Sequence, residues 1–284
     1  MCQPTIIYCL IPCYLRAAFY KTSRFVTGVL AFCQKQPKFY DLRYANIIRN
    51  GYMFKQRSNE PELMDDLDFR GEVIDMTLQD LKKTNKWLGG DNITLDVVKE
   101  IITSNAGRRF SIADVGCGGG DTLKLLADYA RKNKINFELK GIDANAYTID
   151  YAKKNTAKYS EISYQQVNVF SEEFKQQKFD IISCTLFCHH FDDDLLVTLL
   201  AQLKKQAKLA VVINDLHRHW LAYYSITLLS KLFSKSYMFK YDSRISVLRA
   251  FKEEELIVIL TKAGYSRFTV KWEWAFRFKV IAWS

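Results

Sequence analysis

Proline is scarce in this chain: four residues in 284, beside 12 glycines. That excludes collagen-like repeats, low-complexity sequence and a long disordered linker. No run of ~18 uncharged apolar residues occurs, which argues against a transmembrane helix. The seven cysteines are odd in number and irregularly spaced. They read as reduced thiols of a cytosolic protein rather than a disulfide framework. What remains is an ordinary globular composition, 49% hydrophobic and 25% charged. The length suits one large α/β domain or two small ones.

Acidic residues are nearly missing from one place. Residues 1–52 hold Arg16, Lys21, Arg24, Lys35, Lys38, Arg43 and Arg49 against Asp41 alone, which is most of the formal net charge of +10. The body therefore has no basic excess of the kind that binds nucleic acid. Cys2, Cys9, Cys13 and Cys33 crowd into the same segment. Ile6–Leu15 is too short, and its cations follow rather than precede it, so a signal peptide is not indicated. We expect residues 1–52 to lie outside the functional protein, with Met53 as the start; a basic membrane-surface helix is the alternative.

From Met53 the pattern predicts a helical cap over 53–108. Val73, Ile74, Thr77, Leu78 and Leu81 recur at helical spacing until Gly89-Gly90, and Ile93, Val97, Val98, Ile101 and Ile102 mark a second helix. Strands and helices then alternate over 109–284. Strands are expected at Phe110–Val115, Phe137–Ile142, Ile162–Val169, Phe179–Cys184 and Leu209–Ile213. Two adjacent runs, Phe268–Trp274 and Phe276–Trp283, close the chain as a hairpin. Repeated βα units imply a doubly wound α/β fold, Rossmann-like, with a mostly parallel sheet and an antiparallel strand from the terminal hairpin. Residues 216–250 form a helical insert, with Trp220, Leu221, Tyr224, Leu228 and Leu232 as an apolar stripe. It is expected to be a core helix or a lid, and its basic flank makes 216–240 a candidate for peripheral membrane contact.

The first strand runs into Asp114-Val115-Gly116-Cys117-Gly118-Gly119-Gly120-Asp121, and the second ends at Asp143. Glycines let a ligand approach the backbone, and the following helix start offers free N–H groups. An acid at the end of the second strand can accept both ribose hydroxyls. A dinucleotide fingerprint needs glycine at the sixth position from Gly116, where Asp121 stands. The spacing Asp114-x-Gly116-x-Gly118-x-Gly120 instead resembles the first motif of class I S-adenosylmethionine-dependent methyltransferases. That resemblance runs from about Arg109 to the C-terminus and implies a seven-stranded sheet. It also implies S-adenosylmethionine as cofactor, held by Asp114, Gly116, Cys117, Gly118, Asp143, Ala144, Asn168, Val169 and Cys184. Asn168 departs from the family, which usually has an acid there to read adenine.

Phe179–Phe191 resembles the fourth strand and loop of quinone-biosynthesis C-methyltransferases and their small-molecule relatives. Arg57–Asp66 and Trp87-Leu88-Gly89-Gly90 resemble the opening of a bacterial subgroup associated with type III polyketide synthases. The resemblance implies methyl transfer to a hydrophobic small-molecule acceptor, phenolic, polyketide or quinone-like, at oxygen or carbon. Arg57 reads either as a ligand for the cofactor carboxylate or as a surface arginine. A nucleic-acid methyltransferase is disfavoured, because Ser183-Cys184-Thr185-Leu186 stands where amino-methylating enzymes carry Asn/Asp-Pro-Pro-aromatic. A cofactor-binding scaffold without turnover is the remaining rival.

The four histidines fall in two places, His189-His190 and His217-x-His219, each after a strand end where open α/β sheets bind ligands. His189 or His190 is the expected base or acceptor contact. No metal is expected. Cys184, Cys188, His189 and His217 give only half of a zinc spacing. Asn214-Asp215 lacks a second carboxylate at a strand end for magnesium, and Asp215 reads as a substrate or histidine partner or as a helix cap.

Overall fold

The computed structural model describes residues 52–104 and 109–284. Residues 1–51, and with them the expectations for the N-terminal extension, lie outside the described residues. Two helices come first, α1 (Glu72–Trp87) and α2 (Gly90–Thr103). Gly89 joins them with φ +73°, a left-handed turn that glycine enters without strain.

The alternation predicted from sequence follows: β1 (Phe110–Val115), α3 (Asp121–Asn133), β2 (Phe137–Asp143), α4 (Ala146–Asn155), β3 (Ile162–Gln166), a short α5 (Glu172–Lys175), β4 (Phe179–Thr185), α6 (Asp193–Gln206) and β5 (Ala207–Leu216). Next come α7 (Trp220–Phe233), α8 (Tyr237–Arg249) and α9 (Glu253–Lys262), then β6 (Phe268–Glu273) and β7 (Arg277–Trp283). The seven strands form one sheet in the order β3-β2-β1-β4-β5-β7-β6. The first five are parallel, and β7 runs antiparallel to both β5 and β6. The terminal hairpin is thus present, with its second strand inside the sheet and its first at the edge. Strand order reverses between β1 and β4, so their carboxyl ends open a crevice at the switch point.

The strands read as continuous apolar runs because both sheet faces are covered. Neighbouring residues go to opposite cores. Ile182, Val211, Ile213 and Val280 join Leu196, Leu199, Leu203 and Leu256 on one face. Ile181, Ala210, Val212 and Ile281 join Val97, Val98, Leu123 and Leu126 on the other. Each fully buried leucine or isoleucine contributes roughly 1.5–3 kcal/mol over leaving it exposed.

Three expectations need correcting. β3 stops at Gln166, so Asn168 and Val169 stand in the loop beyond it. β5 runs on to Leu216 because β7 pairs with it through Leu216↔Arg277, so Asp215 is a strand residue and not a helix cap, and its alternative reading as a histidine partner is the one that holds. The insert is a pair of helices. The stripe along α7 is not its buried face: Trp220 and Leu232 are exposed, and the buried residues are Ala222 and Ser230.

Candidate active site

The glycine loop leaves β1 through three left-handed glycines, Gly116 (φ +71°), Gly118 (φ +49°) and Gly120 (φ +75°). Gly116 N and Cys117 N both donate to Ile142 O, at 2.9 and 3.0 Å, which docks the loop on β2. A Cβ on Gly116 would lie 2.2 Å from the Phe187 ring, while one on Gly118 would meet nothing closer than Leu78 at 3.8 Å. The loop is therefore packed on one side and open above Gly118. Asp143 closes it: Oδ2 accepts from Gly118 N at 3.2 Å and Oδ1 from Asn145 N at 2.9 Å. Burial pushes the Asp143 carboxyl up, against the backbone N–H groups of Asn145, Gly118 and Ala144. Two such bonds leave lone pairs for a diol. An open glycine cradle, a helix start and a partly exposed acid fit a nucleoside cofactor with an amino-acid tail.

The other expected cofactor residues are placed less uniformly. Asp114 is 1% exposed and accepts from Ser183 Oγ at 2.7 Å. Burial pushes its pKa up to about 7, with Asp143 adding to the rise and Ser183 opposing it. It supports the loop from behind. Burial, then Asp143 and Asp114, push the Cys117 thiol up and leave it un-ionised. Ala144 lies beside Asp143 and accepts from Gln166 Nε2 through its carbonyl. Asn168 is exposed, with its side-chain oxygen taken by Phe170 N at 2.9 Å, and Val169 is buried in the core. Cys184 is fully buried in the same core and offers no surface to a ligand.

The histidine pair sits across the switch point. Leu186 leaves β4 at φ +52°, a conformation that a side chain enters only under strain. It throws Phe187 back onto Gly116 and starts the turn Cys188–His190. The rings of His189 and His190 stack with centroids 4.4 Å apart, and the Phe187 ring is 6.5 Å from that of His190. One phenylalanine ring thus separates the glycine loop from the histidines.

Each histidine is bonded through Nδ1 to a carboxylate, His189 to Asp215 at 2.7 Å and His190 to Asp65 at 2.6 Å. His189 and Asp215 are buried; the His190 side chain is 25% exposed and so is the accessible member. Glu62 Oε1 lies 3.4 Å from His189 Nε2. Burial alone lowers the basicity of His189; Asp215 and then Glu62 outweigh it and push its pKa up to about 10. Burial likewise raises Asp65, but His190 and then Arg249 hold it well below the usual carboxylate range.

Two arginines fasten this arrangement. Arg249 donates to His189 O, His190 O and Glu60 O and pairs with Asp65 at 2.6 Å. Arg57 donates to Arg249 O, His189 O and Phe191 O, pairs with Asp193 at 2.6 Å and lies over the Phe251 ring. Neither sequence reading of Arg57 holds: it is a clamp on the histidine turn. Asp242 accepts from Leu63 N and Met64 N, seating the strap that carries Glu62 and Asp65.

Gly90 has its own use. A Cβ there would stand 2.5 Å from Arg277 Cζ, and Arg277 reaches Asn214 Oδ1 at 3.1 Å and Asn85 Oδ1 at 2.7 Å. Asn214 Nδ2 returns a bond to Gly90 O. This lock fixes the end of β5 and so the approach of Asp215 to His189. The second histidine group stays apart. His219 caps α7 through Leu221 N, and burial, then His219 and Arg218, lower His217 to about 4. Among the described residues, Cys184, Cys188, His189 and His217 do not come together as a set of metal ligands. Glu62, Asp65, Asp242 and Arg249 carry no signal in the sequence, because their partners lie far along the chain: the histidine turn for Glu62, Asp65 and Arg249, and the strap at Leu63 and Met64 for Asp242.

Residues 112–208 match the family described as methyltransferase domain. The plantazolicin methyltransferase BpumL, solved in complex with SAH, is similar in fold, with TM-score 0.55 and 16% identity over 74% of this chain and 88% of that one. A protein of Nostoc punctiforme described as a candidate O-methyltransferase gives TM-score 0.53 and 17% identity, over 75% of this chain and 60% of that one. The CMeT domain of the citrinin polyketide synthase gives TM-score 0.48 and 16% identity, over 62% and 47%. This chain thus spans less than two thirds of those last two. No curated protein matches it.

Proposed function

We propose that this chain, which carries a methyltransferase domain over residues 112–208, uses S-adenosylmethionine to methylate an acidic oxygen or carbon of a hydrophobic small molecule. A phenolic, polyketide or quinone-like acceptor would meet the His189–His190 end of the crevice. When bound, the cofactor supplies an electrophilic methyl group that asks mainly for alignment. The Gly116–Gly120 backbone and Asp143 would hold it, with Asp114 acting through the loop and Ser183. His190, on Asp65, would take the acceptor's proton, and His189, held as a cation by Asp215 and Glu62, would help to hold the anion. The observation that carries this reading is the pair itself: two stacked histidines, each on a carboxylate, one aromatic ring from the glycine loop.

The acceptor's apolar character is supported by a third cluster roofing the crevice. Ile74, Leu78 and Met238 pack with Leu63, Met64, Tyr147 and Tyr151, and Leu78 faces Gly118. A charged acceptor would lose solvation there without recovering it.

The test is calorimetric titration with S-adenosylmethionine and S-adenosylhomocysteine, followed by a methyl-transfer screen over hydrophobic phenols and enolisable ketides. Binding that Asp143→Ala abolishes, with turnover that His190→Gln abolishes, is the expected result. Turnover unaffected by His190→Gln would overturn the acceptor assignment.

Exposed Trp220, Leu232 and Phe233 on α7, flanked by Lys231 and Lys235, support peripheral contact with a membrane surface. Among the described residues no helix is long and apolar enough to cross one. Co-sedimentation with anionic vesicles, lost in Leu232→Glu/Phe233→Glu, is the corresponding check.

A further inference from the structure

Three potential ligand atoms converge beneath the strap. One oxygen of Glu62 and one ring nitrogen each of His189 and His190 lie within 4.8 Å of one another, the one such group of three among the described residues. Asp215 and Asp65 already occupy the Nδ1 atoms of the two histidines. Each ring therefore has Nε2 left to give. Metal-bound histidines show this arrangement, in which a carboxylate on the far nitrogen fixes the tautomer and makes the near one a better ligand.

Glu62 supplies the second, independent observation. The residue is 6% exposed, and Oε1 makes no hydrogen bond of ordinary geometry, facing only His189 Nε2 in an ion pair at 3.4 Å. The spacing to His189 Nε2, 3.4 Å, is too long for a charge-assisted hydrogen bond, which closes to about 2.7–2.9 Å. Two ligands at about 2.0–2.1 Å on a tetrahedral ion stand roughly 3.3 Å apart. Charge points the same way: Glu62, Asp65 and Asp215 surround the histidines, and of these carboxylates Asp65 pairs with an arginine, Arg249.

We propose that Glu62, His189 and His190 bind a divalent transition-metal ion, with zinc the best fit to two imidazoles, one carboxylate and an open position. The sequence reading expected no metal because it weighed cysteine sets and strand-end carboxylates, and Glu62 belongs to neither. The inference rests on the methyltransferase reading for its purpose. The ion takes the place of the proton between His189 and Glu62. A bound ion would lower the pKa of an acceptor hydroxyl or enol oxygen reaching it from the open His190 side, and the proton would then pass to solvent instead of to His190.

The test uses the full chain stripped with a chelator, titrated with Zn²⁺ against a chromophoric competitor and with Co²⁺ followed by its visible absorption. One equivalent of either ion is expected, with affinity falling at least about tenfold in Glu62→Gln and in His190→Gln. S-adenosylhomocysteine affinity, measured on the same samples, is expected to hold within about threefold. No stoichiometric uptake by protein that binds S-adenosylhomocysteine overturns the metal site alone. Uptake unchanged in both variants overturns the ligand set. Failure of folded wild type to bind S-adenosylhomocysteine counts against the methyltransferase reading, whatever the metal does. The more exposed His190 keeps the test decisive if Glu62→Gln does not fold.

Discussion

The two ends of the crevice are built by different means. The glycine-loop end is made of consecutive chain: β1, the loop, α3 and β2 span Phe110–Asp143, and the backbone makes most of the bonds. The histidine end is made of pieces far apart in sequence. The strap around Glu62, the turn at His189, the end of β5 and the end of α8 meet mainly through side chains, beside backbone bonds such as Ser58 N to Leu248 O. A backbone-built site depends on its glycines and on the acid that closes it, Asp143, and tolerates change elsewhere. A site built from buried ion pairs stands or falls as a unit, because removing one partner strands the other.

Arg249→Ala breaks this contrast most severely. It leaves Asp65 with one partner fewer, His189 O with Arg57 alone, and the carbonyls of His190 and Glu60 without the bonds Arg249 gave them. Loss of one partner of a buried pair costs about 3–5 kcal/mol. Thermal denaturation is expected to show a large drop in midpoint, and methyl transfer to fall at least about a hundredfold. Calorimetry on the folded protein is expected to find S-adenosylhomocysteine affinity within about threefold of wild type. An equal collapse of both functions would mean that the two ends are one cooperative unit.

Asp143→Ala is the converse. The carboxylate accepts from Gly118 and Asn145 and pays desolvation to do so. Hydrogen bonds to a charged acceptor contribute about 1.5–3 kcal/mol each, so cofactor affinity is expected to fall about 10- to 100-fold. The unfolding midpoint is expected to change little. Gly116→Ala comes next. A left-handed alanine costs roughly 1–2 kcal/mol, and its Cβ would strike Phe187. Pairing it with Phe187→Ala is expected to restore the clash component of lost affinity and leave the backbone component. Full restoration would show that Gly116 serves packing alone.

The same division explains what could be read from sequence. The glycine loop, Asp143 and the strands around them were legible because periodicity and spacing are local signals. The ends of β3 and β5 were not, since strand length depends on the partner: β7 extends β5 to Leu216. Asn168 was misplaced for that reason. The roles of Arg57, Glu62, Asp65 and Arg249 are set by distance, not by a motif, so no local signal carries them. Cys184 stood one residue from a promising strand end, and the alternation of the strand sends its side chain into the core.

Asp114→Asn sharpens the comparison with the smallest effect on function. The aspartate is buried behind the loop, where burial, raised further by Asp143, lifts its pKa from 3.8 to about 7. The folded protein therefore holds this proton more tightly than the unfolded chain. The stability it contributes is complete below about pH 4 and is lost as pH rises through about 7. Asparagine keeps an oxygen to accept from Ser183 Oγ and has no proton to lose. Chemical denaturation across pH 4 to 8 should show a flatter profile for Asp114→Asn, with a relative gain over wild type at the alkaline end. Cofactor affinity should change less than about threefold, because the acid acts from behind a backbone that the glycines already shape. A large loss of affinity with an unchanged pH profile would place Asp114 in contact with the ligand instead, and the glycine-loop end would then depend on side chains as much as the histidine end does.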